Sequence, residues 1–354
     1  MTHKPAGTIS KMITVAQRLM NLWKRKPFRI GVGIGISLFF LWMVFKDIEF
    51  QEIIQDIKEI QALWLIPAII CYFAGVWVRT ARWRILLRPI KRCTTAKLFP
   101  IYVISYMANN ILPLRIGDIY RAWIVGKKES VSKSASLVTI GVERIFDGLT
   151  MLGLLLIAIL YFPIQDERVA KAVNIGGIVF LGAIAACYIL ILKQTWAVKL
   201  FNRILSMTGR GGNTKLAEMF ENLFHGLGAL TKLSDIALVM GLSISTWLIE
   251  ALSYYLVLNA FGFFGSFIVA IATMAMVNLM IIVPSAPGYF GPFELACFII
   301  LGRSGYGSFT GFVETTAAAY ALILHVIVQW IPSTCLGLVY MWKEHISFKE
   351  IDTA

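Results

Sequence analysis

Between positions 109 and 147 the chain sets amides, guanidinium groups and carboxylates within or beside apolar segments. The stretch Asn109-Asn110-Ile111-Leu112-Pro113-Leu114-Arg115-Ile116-Gly117-Asp118-Ile119-Tyr120-Arg121 brackets one acid, Asp118, with two arginines, Arg115 and Arg121. Further on, Glu143-Arg144-Ile145-Phe146-Asp147 interrupts an otherwise apolar run. A guanidinium is a planar fork of donors suited to phosphate oxygens. A helix starting near Gly117 would aim unpaired N–H groups at the same break, which also favours an anion. On a helix, Glu143 and Asp147 share a face four residues apart, and Arg144 and Asp147 can pair three apart. Two carboxylates held close raise the pKa of at least one, so the pair could carry a proton. A structural reading stands beside this one. In it, the Arg–Asp pair pins its segment to the headgroup layer, and the acids and Arg144 form a neutral cluster that locks a helix in place.

The second half offers fewer such groups. Glu294 follows a break built from Pro284, Pro287, Gly288, Gly291 and Pro292, while Glu250, His325 and Gln329 read as packing residues. Four histidines lie far apart and five cysteines are scattered without a CxxC or HExxH spacing. No metal or other cofactor is therefore expected, and the cysteines read as buried free thiols. A nucleophile–histidine arrangement and a nucleotide loop are also missing, so a transporter is expected rather than an enzyme. Two alternatives stay open: an intramembrane enzyme acting on a lipid phosphate, with Glu143 or Asp147 as acid or base, and an accessory subunit of an envelope lipid or glycan synthesis complex.

The elements that position these groups must lie in a bilayer. Hydrophobic residues make up 58% of the chain and charged residues 15%, against roughly 25% charged in soluble domains. Mean hydropathy is +0.74. Residues 30–45, 62–78, 149–162, 173–192, 236–249 and 315–342 are almost free of charge. Such runs, extended by flanking polar residues, suit membrane-spanning helices of about 17–25 residues. Ionisable groups inside them cost about 2.5–3.5 kcal/mol each on insertion scales, which makes them functional candidates. Gly31 and Gly35 form a GxxxG packing face in the first run.

Charge asymmetry sets the topology. Residues 1–29 and 79–97 each hold seven Lys/Arg and no acid, whereas 46–60 hold two Lys and five acids. Basic loops stay cytoplasmic, so helix 1 (about 28–46) runs outward and helix 2 (about 62–80) returns. Residues 115–133 are again basic, so 98–114 reads as a hairpin entering from the cytoplasm and breaking near Asn109–Pro113. Helix 3 (about 135–162) runs out and helix 4 (about 173–192) runs in. A cytoplasmic connector (193–235) follows, and helix 5 (about 236–259) runs out. Residues 264–302 form a second hairpin from outside, and helix 6 (about 315–342) returns. Residues 1–27 form a basic interfacial segment, 28–343 a single transmembrane domain and 344–354 a cytoplasmic tail. The expectation is an all-α polytopic membrane protein with about six transmembrane helices and two oppositely oriented re-entrant hairpins. Its half-repeats, 28–162 and 173–342, form an inverted repeat, an architecture of transporters. The cell membrane is the expected location, with both termini cytoplasmic.

The stretch NNILPLRIGDIYRAWIVGKKESVSKSASLVTIGVERIFDGL (109–149) resembles the signature of the lysylphosphatidylglycerol synthase transmembrane region, or flippase-like domain, family. That family shows an Asn-Pro-Arg-Gly-Asp/Glu segment, a basic loop and a Glu-Arg-x-x-Asp helix. APGYFGPFE (286–294) is similar to its Pro-Gly-Gly-x-Gly-x-x-Glu element, with Pro287-Gly288-Tyr289 standing where a Gly-Gly pair is usual. The resemblance covers about 28–342 and implies movement of a lipid or lipid-linked head group across the bilayer. Two-part members add a soluble aminoacyl-transferase half. The chain stops at Ala354, so transport without lysyl transfer is expected.

The reading from sequence is a flippase for an anionic lipid or lipid-linked head group, such as a phospholipid or a polyprenyl-phosphate derivative. Asn110, Arg115, Asp118, Arg121, Glu143, Arg144, Asp147 and Glu294 are the candidate substrate-binding residues. The arginines would hold phosphate, and the acids would relay a proton or bind a cationic part of the head group. The expected partners are the membrane lipid substrate and anionic head groups at the basic runs 24–29 and 79–97. A second copy of the chain, or enzymes of lipid or glycan synthesis, are further candidates. Nucleic acid is not expected for basic residues this close to the membrane.

Overall fold

The computed structural model describes residues 26–112, 116–161, 233–283, 285–302 and 311–347, with isolated positions between 178 and 206. Every regular element among them is helical. Helix α1 (Lys26–Phe45) bends 77° into α2 (Phe50–Glu59), which is amphipathic and buries Ile53. A 3-10 turn (Ala62–Trp64) leads into α3 (Leu65–Leu87). Helices α4 (Thr95–Ile111) and α5 (Gly117–Glu129) follow, then α6 (Lys133–Tyr161) and α7 (Leu233–Ala260). Next come α8 (Phe267–Met280), a 3-10 turn (Pro287–Tyr289) and α9 (Pro292–Leu301). The last stretch runs through α10 (Glu314–Leu322), a π-helical segment (Ile323–Trp330) and α11 (Ile331–Lys343).

Three stretches among the described residues are long and apolar enough to cross a bilayer: Ala62–Leu87, Ser234–Ala260 and Glu314–Lys343. The bent α1–α2 pair passes the same test when its two parts are taken together. Helix α6, at 29 residues, is roughly 43 Å long. The chain is therefore an all-helical polytopic membrane protein. Most of helix 4, most of the connector 193–235 and residues 1–25 of the basic interfacial segment fall outside the described residues.

Helix α3 packs along α7, α4 along α11, and α8 against α6, α7 and α9. The direction of packing is set by contacts at the ends. Arg88 pairs with Asp235 at 3.2 Å, so the end of α3 meets the start of α7, and Lys128 pairs with Glu344 near the ends of α5 and α11. At the opposite end, Gln61 N–H donates to the Ala260 carbonyl at 2.9 Å. Helices α4 and α5 fold back on each other, with Gly117 against Ser105 and Asn109 and Arg121 over the Tyr102 ring. A side chain at position 117 would strike the Ser105 carbonyl and the Asn109 amide. Helices α8 and α9 form a second hairpin, whose base lies by the Ala260 end, where the Tyr255 hydroxyl donates to the Gly265 carbonyl at 3.0 Å. The two helical hairpins thus open toward opposite ends of the bundle.

Two expectations need correction. Gly31 and Gly35 are exposed, with open space where a side chain would start; the packing face is Gly33 and Ser37. A Cβ on Gly33 would lie 2.9 Å from the Ser285 carbonyl oxygen, and Ser37 Oγ accepts from the Ala286 N–H at 2.8 Å. The small-residue stripe exists but lies two residues along. Secondly, the basic run 79–97 is not wholly superficial. Arg79 and Arg82 are 6% and 0% exposed, because α3 continues to Leu87 and turns both inward, one helical turn apart. Gly33→Leu should lower thermal stability in detergent by about 1–3 kcal/mol through overpacking. Gly31→Leu should leave the unfolding midpoint unchanged.

Candidate functional site

The tips of the two hairpins meet, because α4 packs against the Pro287–Tyr289 turn. At the first tip the Asn109 side-chain Oδ1 accepts from the Gly117 N–H at 2.8 Å, which caps the start of α5. Asn110 Nδ2 donates to Ser333 Oγ and Thr334 Oγ1, both at 3.0 Å, and so ties the tip to α11. At the second tip Gly288 and Gly291 have φ of +77° and +99°, a region that side-chain-bearing residues rarely adopt. Glu294 accepts from the Gly291 N–H at 2.7 Å in a capping interaction at the start of α9. Its other oxygen lies 2.5 Å from His325 Nδ1, and His325 Nε2 lies 2.7 Å from the Gly288 carbonyl.

Behind the tips lies a network of four arginines and four carboxylates. Arg82 Nη1 is 2.7 Å from Asp147 and its Nη2 is 3.2 Å from Glu143. Arg82 therefore bridges the two carboxylates. Arg121 pairs with Glu143 at 3.1 Å and with Asp118 at 3.6 Å. Its guanidinium is packed over the Trp83 and Tyr102 rings, at 4.7 and 4.3 Å. Arg121 Nε and Nη1 have no hydrogen-bond acceptor among the described residues, so the ring faces supply their compensation. Arg79 pairs with Glu250, donates to the Tyr106 hydroxyl at 2.7 Å and lies 3.9 Å from the Trp247 ring centre. Arg144 reaches Asp118 at 3.2 Å and Asp147 at 3.4 Å. Tyr102 donates to Glu143 and Trp247 Nε1 donates to Asp147 at 3.1 Å.

A cavity of about 320 Å³ opens between this network and the tips. Asn110, Asp118, Arg144 and Asp147 line it, and the Arg144 side chain is 44% exposed there. Arg121 and Glu143 are 0% exposed and sit behind that wall, where they hold α5 to α6. Glu294 is also 0% exposed and faces the inside of the second tip. Arg115 lies outside the described residues. Of the eight expected residues, four thus reach the cavity and three support it from behind. Arg79, Tyr106, Trp247, Glu250, Asn278 and His325 also line the cavity and were not expected as site residues. One signal pointed to Arg79 and Arg82: two arginines three apart in a helix otherwise apolar enough to span. Their acceptors on α6 and α7 are too remote in sequence to be recognised.

The chemistry is that of a neutral, preorganised polar chamber with aromatic walls. A half-exposed guanidinium can donate to a phosphate oxygen there in exchange for part of its contact with Asp118 or Asp147.

Residues 30–337 match the model of a family described as the lysylphosphatidylglycerol synthase TM region. A UPF0104 membrane protein of Methanothermobacter thermautotrophicus is 25% identical over 292 residues, covering 78% of this chain and 83% of the relative. A UPF0104 membrane protein of Methanocaldococcus jannaschii is 25% identical over 238 residues, or 66% of this chain and 92% of the relative. A stretch of the Haloferax volcanii Glycosyltransferase AglD is 27% identical over 126 residues, 35% of this chain and 20% of that protein. No solved structure matches the chain.

Removing one partner of a buried ion pair leaves the other uncompensated, at about 3–5 kcal/mol. Arg82→Ala should therefore lower stability by that amount in detergent unfolding experiments. Arg144→Ala, with its side chain open to the cavity, should cost less than about 1 kcal/mol.

Proposed function

The chain belongs to the lysylphosphatidylglycerol synthase TM-region family, and from that premise we propose that it moves an anionic lipid or lipid-linked head group across the bilayer. The observation that carries this reading is the charged cavity at the meeting point of two oppositely directed helical hairpins. A chamber so placed can face either side of a membrane when the two hairpins rock against each other. In this reading Arg144 holds the phosphate. Asn110 and Asp118 orient the head group, while the tails remain in lipid. The buried Arg82, Arg121 and Glu143 keep the wall rigid and are not themselves ligands. Glu294 belongs to the closing tip.

The hairpins are then re-entrant, and the spans number about six, arranged as an inverted repeat. The basic end of the bundle, with Arg88, Lys128 and both termini, faces the cytoplasm of a cell membrane, as basic loops do. The chain moves its lipid without transforming it. The stretch shared with a glycosyltransferase supports a lipid-linked glycan as one class of head group, with enzymes of its synthesis as partners.

Mass spectrometry of lipids that co-purify with the protein in mild detergent tests this. A phosphate-bearing lipid should be enriched over bulk membrane. Its recovery should fall about tenfold or more in Arg144→Ala, the scale of one charge-assisted hydrogen bond. Equal recovery from wild type and Arg144→Ala would remove Arg144 from the binding site and shift the reading toward an accessory subunit.

A further inference from the structure

The His325–Glu294 pair has a proton count that the structure itself fixes. Both ring nitrogens of His325 face oxygens, one on the Glu294 carboxyl at 2.5 Å and one on the Gly288 carbonyl at 2.7 Å. A carbonyl oxygen only accepts, so Nε2 must carry hydrogen. The contact at Nδ1 needs a second hydrogen, carried either by the nitrogen or by the carboxyl. Two protons therefore make both bridges, and a single proton leaves lone pair against lone pair at one of them.

The surroundings make the second proton consequential. His325 is 3% exposed and Glu294 is 0% exposed. The His325 ring is stacked on Phe293 at 4.1 Å and tilted against Phe290 at 4.7 Å. Among the described residues, neither member has an arginine or lysine partner. Cys297 from α9 lies within electrostatic reach of Glu294, and Tyr72, Arg79, Tyr106, Glu250 and Tyr254 share the cavity that His325 lines. Glu250, the one other carboxylate of the set, is paired with Arg79. With both protons the pair is neutral; with one it is a buried, uncompensated anion, which is costly. His325 lines the cavity and stands in the π-helical segment, a widened turn found mostly where function requires it.

We propose that His325 and Glu294 form a proton-binding site whose occupancy clamps the second hairpin tip onto the π-helical segment. Release of the proton separates Nδ1 from the carboxyl and loosens the tip, which the Nε2–Gly288 bridge then holds alone. The coupling of that release to head-group movement rests on the transport reading above; the proton site itself does not.

Glu294→Gln is the discriminating variant. Its amide carbonyl can accept from the Gly291 N–H and its NH2 can donate to Nδ1, so both bridges survive without a carboxyl that can gain or lose a proton. Hydrogen exchange of residues 285–294, corrected for intrinsic exchange chemistry, is measured in nanodiscs across about pH 5 to 9. In the wild type, protection should drop at least about tenfold as pH rises, and in Glu294→Gln it should stay flat. A flat wild-type profile overturns the proposal, whether or not the variant folds. The same transition in wild type and variant also overturns it, because the titrating group then lies elsewhere. Lipid translocation in proteoliposomes is read separately. Its absence together with a wild-type pH transition would defeat the transport reading and leave the proton site standing.

Discussion

Four guanidinium groups and four carboxylates sit inside a bundle whose remaining buried residues are mostly apolar. In such a medium an unpaired charge costs several kcal/mol, and attraction between partners repays this only when geometry is good on both sides. The pairing therefore constrains the helices. Arg82 on α3 needs α6 within reach of both its nitrogens, and Arg79 needs α7. Arg121 fixes α5 against α6, and the rings of Trp83 and Tyr102 close around it from α3 and α4. Five helices are thereby held in one relative arrangement, by Arg82, Arg121 and Glu143 behind the cavity and by Arg79, Asp147 and Glu250 in its wall. Arg144 and Asp118, which also line it, keep part of their surface free.

Hairpin tips need a different support. Where the helices break, the backbone groups freed at their ends need other partners. Asn109 and Asn110 give that support at the first tip, one within its own hairpin and the other through α11. Ser37, Glu294 and His325 do it at the second. The first tip is held by amides and hydroxyls, whose bonds do not depend on protonation. The second is held by an imidazole and a carboxyl. The two tips meet at one cavity but are not chemically equivalent, and this asymmetry gives the chamber one fixed wall and one that can change.

Much of this was legible in the residues. The apolar blocks, the proline and glycine breaks and the Glu-Arg-x-x-Asp helix located the described helices and the break between α4 and α5, because each signal is local. Helix ends were less legible. Helix α3 runs through Arg79 and Arg82 to Leu87, since their charge is neutralised by residues 60 or more positions away, which no window of hydropathy can see. The i,i+4 spacing correctly put Glu143 and Asp147 on one face. It could not reveal that Arg82 stands between them, or that Arg121 would be walled off by two rings. Glu294 and His325 were each visible as polar residues in apolar runs. Only the fold brings positions 31 residues apart to one proton. The glycine stripe of α1 was read one register off because Gly31, Gly33 and Gly35 present the same residue type on two faces.

Passage of a head group requires a chamber that is polar and reachable by water. Gly148 lines it, with open space where a side chain would begin. A Gly148→Cys variant, made with the five native cysteines replaced, reports on that space through its reaction with a charged, membrane-impermeant thiol reagent. The account predicts rapid labelling by the charged reagent, slowed when a phosphate-bearing lipid occupies the cavity. Labelling by lipid-soluble maleimide alone would contradict it, since the space would then be dry and apolar and no head group could pass.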